Sequence, residues 1–275
     1  MKPPALHSGD TIAIISTARW VSKDTLDQAQ SALERKEFNV FRHPNNNCRA
    51  HEFAGSFEER AAALHDVWQD PQIKAVVIAT GGNRTLHLLD YIDFDIIKAH
   101  QKIMIGYSDT TALLNSIYRK TGLVTFHGPD AVKIAKQPYP QDIEDMISLW
   151  QGGTPTYDLS SSTVLTAGQS RGKLIGGNLC ILNYLLGTPF APDFQDAILF
   201  IEDELEEIRN IDRMLLHLKR LGRLDQLRGL IIGGFTMVLN TGRVPFPYTL
   251  QELVTEMTDG LDIPVVMDAP FGHGG

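Results

Sequence analysis

The sequence predicts an α/β protein built on a doubly wound, mostly parallel sheet, followed by a second, smaller α/β domain. Three observations carry that expectation. Through the first 150 residues, short apolar runs rich in β-branched residues alternate with amphipathic helical spacings, the pattern of strands joined by crossover helices. The runs are continuously apolar, as expected of strands covered on both faces. A second strand–helix series begins after a break at Gln151–Ser170, where Gly, Ser, Thr and Pro replace the large aliphatics.

Thr11–Ser16 (TIAIIS), Lys74–Ala79 (KAVVIA), Lys102–Ile105 (KIMI) and Leu123–Phe126 (LVTF) read as strands, and Phe38–Phe41 as a shorter one. Ser22–Lys36 reads as a helix with Leu26, Ala29 and Leu33 on one face. Phe57–Trp68 is a second helix with Ser56 as its N-cap, and Asn83–Tyr91 and Thr110–Lys120 also have helical spacing. In the second half Leu174-Ile175, Ala197–Ile201, Gly229–Ile232 and Ile263–Val266 are strand-like. Gly176-Gly177-Asn178 opens a helix to Leu186, and Ile208–Leu221 and Leu250–Met257 are helical. The expected division is a domain over 1–150, a linker over 151–170 and a domain over 171–275, with a cleft between the domains as the place for a site.

Composition narrows the function. Of 275 residues, 43% are hydrophobic and 21% charged, an ordinary globular balance that argues against disorder or coiled coil. The formal net charge is −8 and no long basic run exists, which speaks against nucleic-acid binding through counterion release. The two cysteines, Cys48 and Cys180, form neither a disulfide framework nor a zinc pattern. No clustered Cys/His or H-E-x-x-H run suggests a metal, and no cofactor is expected. The N-terminus lacks a signal-peptide pattern and no apolar stretch approaches about 18 residues, so a cytoplasmic protein without membrane contact is expected.

The chemistry concentrates at Lys102–Pro129. A buried strand ends at Gly106, Ser108 follows two residues later, and a helix starts almost at once. That is the geometry of a nucleophile elbow, although Thr110 stands where G-x-S-x-G has its second glycine. At such an apex the hydroxyl faces outward, and the Asp109 and Thr110 N–H groups lie at a positive helix end able to stabilise an oxyanion. The alternative is that Ser108 and Asp109 simply cap the helix. Gly81-Gly82 end another strand: they allow either a close backbone approach, with the Gly82 N–H aimed at an oxyanion, or only a tight turn. Asn178 can bond a substrate or cap its helix. Arg84 and Arg213 can pair with a substrate carboxylate or stay on the surface. His127 can line a cleft or pack behind its strand. Glu202 leaves its apolar strand ahead of Asp203, Glu204, Glu206 and Glu207, and by itself reads as part of a solvated acidic loop.

GYSDTTALL, followed by TGLVTFHGP, resembles the LD-carboxypeptidase (muramoyltetrapeptide carboxypeptidase) family of serine peptidases, which includes the microcin C immunity peptidases. Four further segments are similar in the same order: ATGGNRTLHLL at Ala79–Leu89, GKLIGGNLCILNYLLGTP at Gly172–Pro189, LFIEDELEEIRNIDRML at Leu199–Leu215 and APFGHG at Ala269–Gly274. The resemblance spans nearly the whole chain and looks closer to the microcin-immunity branch. It implies a flavodoxin-like N-terminal domain carrying Ser108 as nucleophile. It also implies a C-terminal domain carrying Glu202 as the relay acid and His273 as the base, a triad formed only where the domains face each other. It favours Gly82 and Asp109 as oxyanion donors and Asn178 as a substrate contact. The implied activity is an acyl-enzyme amide hydrolase. The resemblance implies a carboxypeptidase of murein tetrapeptide or a hydrolase of peptidyl- or aminoacyl-nucleotides, acting as a homodimer. A non-catalytic ligand-binding module on the same scaffold is the alternative. Only two residues follow His273, whereas the family continues into another strand, so His273 is expected to be poorly held.

Overall fold

A computed structural model describes residues 1–138 and 140–274. The chain divides into two units, Met1–Thr156 and Tyr157–Gly275.

The first unit contains β1 (Thr11–Ile15), α1 (Lys23–Glu34), β2 (Asn39–Arg42), α2 (Phe57–Gln69), β3 (Ile73–Ile78), α3 (Thr85–Leu88), α4 (Phe94–Ala99), β4 (Ile103–Gly106), α5 (Thr111–Thr121), β5 (Phe126–His127), α6 (Ala131–Lys136) and α7 (Pro140–Trp150). The strands order β2-β1-β3-β4-β5 and pair in parallel throughout, the flavodoxin-like arrangement. Its order reverses between β1 and β3, and ligands of such sheets collect beyond the carboxyl ends of the strands. One face of the sheet buries Ile12, Ile14, Ala75, Val77, Ile103 and Ile105 in a cluster that reaches Ile134 and Trp150. The alternate residues Ala13, Ile15, Val76, Ile78 and Met104 are also fully buried, and the two-residue period of a strand sends them to the other face. Two helix starts lie where the sequence puts them: the Ser22 side chain accepts the Thr25 N–H, and Ser56 and Glu59 complete a capping box on α2.

Boundaries differ from expectation in both units; in the second, Gly176-Gly177-Asn178, expected to open a helix, end the strand Lys173–Asn178, and Asn178 caps the helix that follows. Left-handed backbone at Gly82 (φ 133) and Arg84 (φ 71) delays α3 until Thr85. The strand expected over Leu123–Phe126 is confined to Phe126–His127. Gly122 ends α5 in a left-handed cap, and the Val124 N–H bonds to the Met1 carbonyl at 2.8 Å before the chain reaches the sheet.

The second unit contains β6 (Thr163–Thr166), β7 (Lys173–Asn178), α8 (Leu179–Leu185), β8 (Ala197–Glu204), α9 (Ile208–Arg220), β9 (Leu227–Thr236), α10 (Leu250–Thr258) and β10 (Val265–Met267). Its sheet orders β6-β10-β9-β8-β7, parallel except for β6. Between β8 and β9 the register shifts: Ile201 pairs with Ile232, but Asp203 pairs with Phe235. Glu202 alone therefore opposes Gly233 and Gly234. A bulge of this kind re-aims side chains, and here Ile201, Glu202 and Asp203 are all buried in succession.

Trp150 supplies a test of the first core. It is 1% exposed and its ring meets the edge of Phe38 at 6.4 Å. Trp150→Ala should cost about 3–5 kcal/mol in urea unfolding; a loss below about 1 kcal/mol would show that this face is not packed as described.

Candidate active site

Ser108 has φ 58, a left-handed backbone that only glycine adopts freely. Only Tyr107 separates it from β4, and a short turn over Ser108–Thr110 leads into α5. Thr110 fits in place of the elbow's second glycine because the first glycine leaves room: a Cβ on Gly106 would lie 2.7 Å from the Thr110 methyl carbon. The turn after β3 comes equally close. A Cβ on Gly81 would lie 3.2 Å from the Ser108 hydroxyl oxygen, so only glycine brings this backbone against the serine without displacement.

Two buried carboxylates border the same place. Asp109 Oδ2 accepts the Thr85 N–H at 3.0 Å and the Thr85 hydroxyl at 2.6 Å. Burial raises the Asp109 pKa, against lowering by the Thr85 hydrogen bonds and by the charges of Arg60 and Arg19. Asp130 accepts the Gly81 N–H at 3.3 Å and the Lys133 N–H at 2.9 Å. Burial pushes Asp130 up to about 6 despite those bonds, the Thr80 hydroxyl and the Lys133 charge. Arg84, next to Thr85, lays its guanidinium 4.8 Å from the Phe57 ring centroid and 5.7 Å from that of Phe53. Among the described residues it joins no ion pair. Arg213, exposed on α9, donates to Asn210, and His127 ends β5 with its ring edge-on to Tyr107.

In the second unit Glu202 and His273 meet. Glu202 is 0% exposed, and its Oε2 lies 2.6 Å from His273 Nδ1. The expectation that His273 is poorly held is not met, because residues upstream fix it. The Gly234 N–H bonds to the Phe271 carbonyl at 2.8 Å, Gly272 bridges to Gly234, and the Phe271 ring meets Phe200 at 5.7 Å. Gly272 has φ 127, and a Cβ there would lie 3.1 Å from the Gly234 carbonyl oxygen and 3.4 Å from Glu202 Cβ. Glycine is therefore what lets the segment lie along the bulge opposite Glu202. With Nδ1 bonded to the carboxylate, Nδ1–H is the favoured tautomer and Nε2 keeps its lone pair. Burial lowers the His273 pKa, but the hydrogen bond to Glu202 and the charges of Glu202, Glu204 and Asp203 outweigh it and leave the ring above its ordinary 6.5.

Asn178 caps α8 through the Ile181 N–H and donates to Asp203 Oδ1 at 2.7 Å. Asp203 also accepts the Cys180 N–H at 2.9 Å. Burial pushes Asp203 up to about 6, aided by the Glu202 charge and opposed by these bonds. Cys180 is no candidate nucleophile: burial and the charges of Asp203 and Glu206 push its thiol up to about 12. Among the described residues no group of three or more His, Cys, Asp or Glu could hold a metal ion. Asp130 and Thr85 were missed by the motif reading. Asp130 carried one sequence signal, a Pro-Asp pair ahead of the amphipathic stretch AVKIAK, which marks a helix N-cap.

The LD-carboxypeptidase N-terminal domain family matches residues 12–128, and the LD-carboxypeptidase C-terminal domain family matches residues 171–275. The chain is 39% identical to a probable murein peptide carboxypeptidase of Bacillus subtilis (strain 168), over 99% of this chain and 86% of that one. It superposes with TM-score 0.86 and 28% identity on microcin C7 self immunity protein MccF in complex with aspartyl sulfamoyl adenosine, covering 98% of this chain and 89% of that one. The muramoyltetrapeptide carboxypeptidase of Oxalobacter formigenes gives TM-score 0.80 at 28% identity, covering 96% and 89%.

The Glu202–His273 contact predicts a titration. The His273 ring signals should titrate above pH 6.5 by NMR, and Glu202→Gln, which removes the anion that favours the charged ring, should move the midpoint down. An unchanged midpoint would show that Glu202 does not set the basicity of this ring.

Proposed function

The chain belongs to the LD-carboxypeptidase family, and from that premise we propose a serine-type amide hydrolase with Ser108 as nucleophile, His273 as base and Glu202 as the carboxylate that orients it. The observation that carries the reading is the left-handed backbone of Ser108 at the end of β4. Such strain persists where the surroundings enforce it, and it presents a side chain at a strand–helix apex.

In this reading Ser108 Oγ attacks the substrate carbonyl carbon while its proton passes to His273 Nε2. The carbonyl oxygen becomes an oxyanion that accepts hydrogen bonds from the Gly82 and Asp109 N–H groups. The C–N bond breaks, the leaving amine takes the proton from His273, and an ester to Ser108 remains. Water then attacks the ester carbonyl, giving a proton to His273, and the acid departs as His273 passes that proton to Ser108 Oγ. Glu202 accepts from Nδ1 throughout and stabilises the ring when it is charged.

We propose a peptide with a free terminal carboxylate as substrate, the murein tetrapeptide in particular. Support comes from the 39% identity to a probable murein peptide carboxypeptidase. A second reading, an aminoacyl- or peptidyl-nucleotide, is favoured by the higher TM-score of 0.86 with MccF bound to aspartyl sulfamoyl adenosine. Side-by-side kcat/KM values for the two substrate classes decide between them. In both, Arg84 is our candidate for the substrate anion, since its guanidinium has no carboxylate partner among the described residues. Asn178, already a helix cap at the carboxyl end of β7, is proposed as a substrate contact. A cytoplasmic homodimer belongs to the same proposal.

Ser108→Ala should lower kcat by about a thousandfold or more with an unchanged circular-dichroism spectrum. Near-normal turnover would reject the nucleophile. Arg84→Ala should raise KM about tenfold, the scale of one charge-assisted contact; an unchanged KM would move the anion elsewhere.

A further inference from the structure

The turn Gly81–Arg84 is gripped at both ends by carboxylates that the hydrolytic steps do not use. At its start the Gly81 N–H bonds to Asp130 at 3.3 Å, and at its end the Thr85 N–H and hydroxyl bond to Asp109 at 3.0 and 2.6 Å. Both acids are buried, Asp130 at 1% and Asp109 at 3% exposure. Burying carboxylates is unfavourable unless their bonds are made, and a neutral cap would satisfy an ordinary βα turn.

Three features make this more than capping. The turn holds two left-handed residues, Gly82 at φ 133 and Arg84 at φ 71, a backbone that needs outside support. Its first glycine packs against the Ser108 side chain, and one of its two clamps, Asp109, directly follows Ser108. The serine and the turn facing it are therefore fixed by shared anchors. A carboxylate also suits the task chemically. It only accepts, so Asp130 takes the Gly81 and Lys133 N–H groups together without presenting a donor to either. The Val132 N–H, bonded to the Ala79 carbonyl at 3.2 Å, joins the start of α6 to the end of β3 and carries Asp130 into place.

We propose that Asp130 and the Asp109–Thr85 pair are positioning residues that clamp the Gly81–Arg84 turn against Ser108, holding the Gly82 N–H ready for the oxyanion. The proposal rests on Ser108 being the nucleophile. A donor fixed in advance stabilises the transition state more than the bound substrate, so loosening it lowers kcat and leaves KM nearly unchanged. Displacement by about 1 Å can cost on the order of a hundredfold.

The test compares Asp130→Asn, Thr85→Val and Thr85→Ser in the whole protein, with Ser108→Ala alongside. Asp130→Asn sets an amide N–H₂ against one of the two N–H groups, and Thr85→Val removes the hydroxyl while keeping the backbone bond. Both should lower kcat about ten- to a hundredfold with KM within about twofold, and weaken a peptide boronic acid, which forms a tetrahedral adduct on a serine, by a similar factor. Thr85→Ser should recover most of the loss. If Asp130→Asn does not fold, the Thr85 pair decides. Wild-type kcat and boronate affinity in folded variants, or a rise in KM alone, would overturn the clamp while an inactive Ser108→Ala keeps the nucleophile. Full turnover by Ser108→Ala would overturn the nucleophile reading, and the clamp with it.

Discussion

A serine at φ 58 is held against a local preference of about 1–2 kcal/mol for ordinary right-handed or extended backbone. What surrounds Ser108 supplies that restraint. β4 is an interior strand paired on both sides, so its end is fixed by β3 and β5. Gly106 admits Thr110 beneath the turn, and Gly81 brings the neighbouring strand end against the serine itself. Asp109 then ties the serine's own turn to Thr85. The parallel sheet thus acts as the frame that keeps one unfavourable backbone angle in place, and the position of the half-buried serine at the turn is its consequence.

The second unit solves a different problem. A carboxylate at 0% exposure inside a sheet must find a partner or lose its charge. The register shift between β8 and β9 puts two glycines opposite Glu202, and the segment ending in His273 lies along that bulge. The histidine meets the carboxylate at 2.6 Å, which fixes its tautomer and raises its basicity at once. The same bulge gathers Asp203 beneath Asn178 and Cys180, so the acidic stretch that reads as a solvated loop is in its first two residues an internal network.

Much of this was legible in the sequence, and the limits are physical. Continuous apolar runs gave the strands because parallel strands are covered on both faces. Ser22 and Ser56 announced their helices through side chains that cap locally. Glu202 and His273 carried no local signal: they are 71 residues apart and the shift in register that joins them leaves no periodic trace. Only the likeness of whole segments pointed to them. The short tail after His273 misled because its anchors, Gly234 and Phe200, lie on strands far upstream in sequence. Asp130 was visible as a helix cap, but its bond to Gly81 across 49 residues was not.

Hydrolysis through Ser108 requires a covalent acyl intermediate on its hydroxyl oxygen. Rapid acid quenching during turnover of a peptide or activated ester substrate, followed by intact mass measurement and fragmentation of the Ile103–Arg119 tryptic peptide, tests it most directly. The expected result is a mass increase equal to the acyl group, with the leaving group already lost, localised to Ser108. An acyl group on a different side chain, or a completed single turnover with no adduct at any quench time, would contradict it.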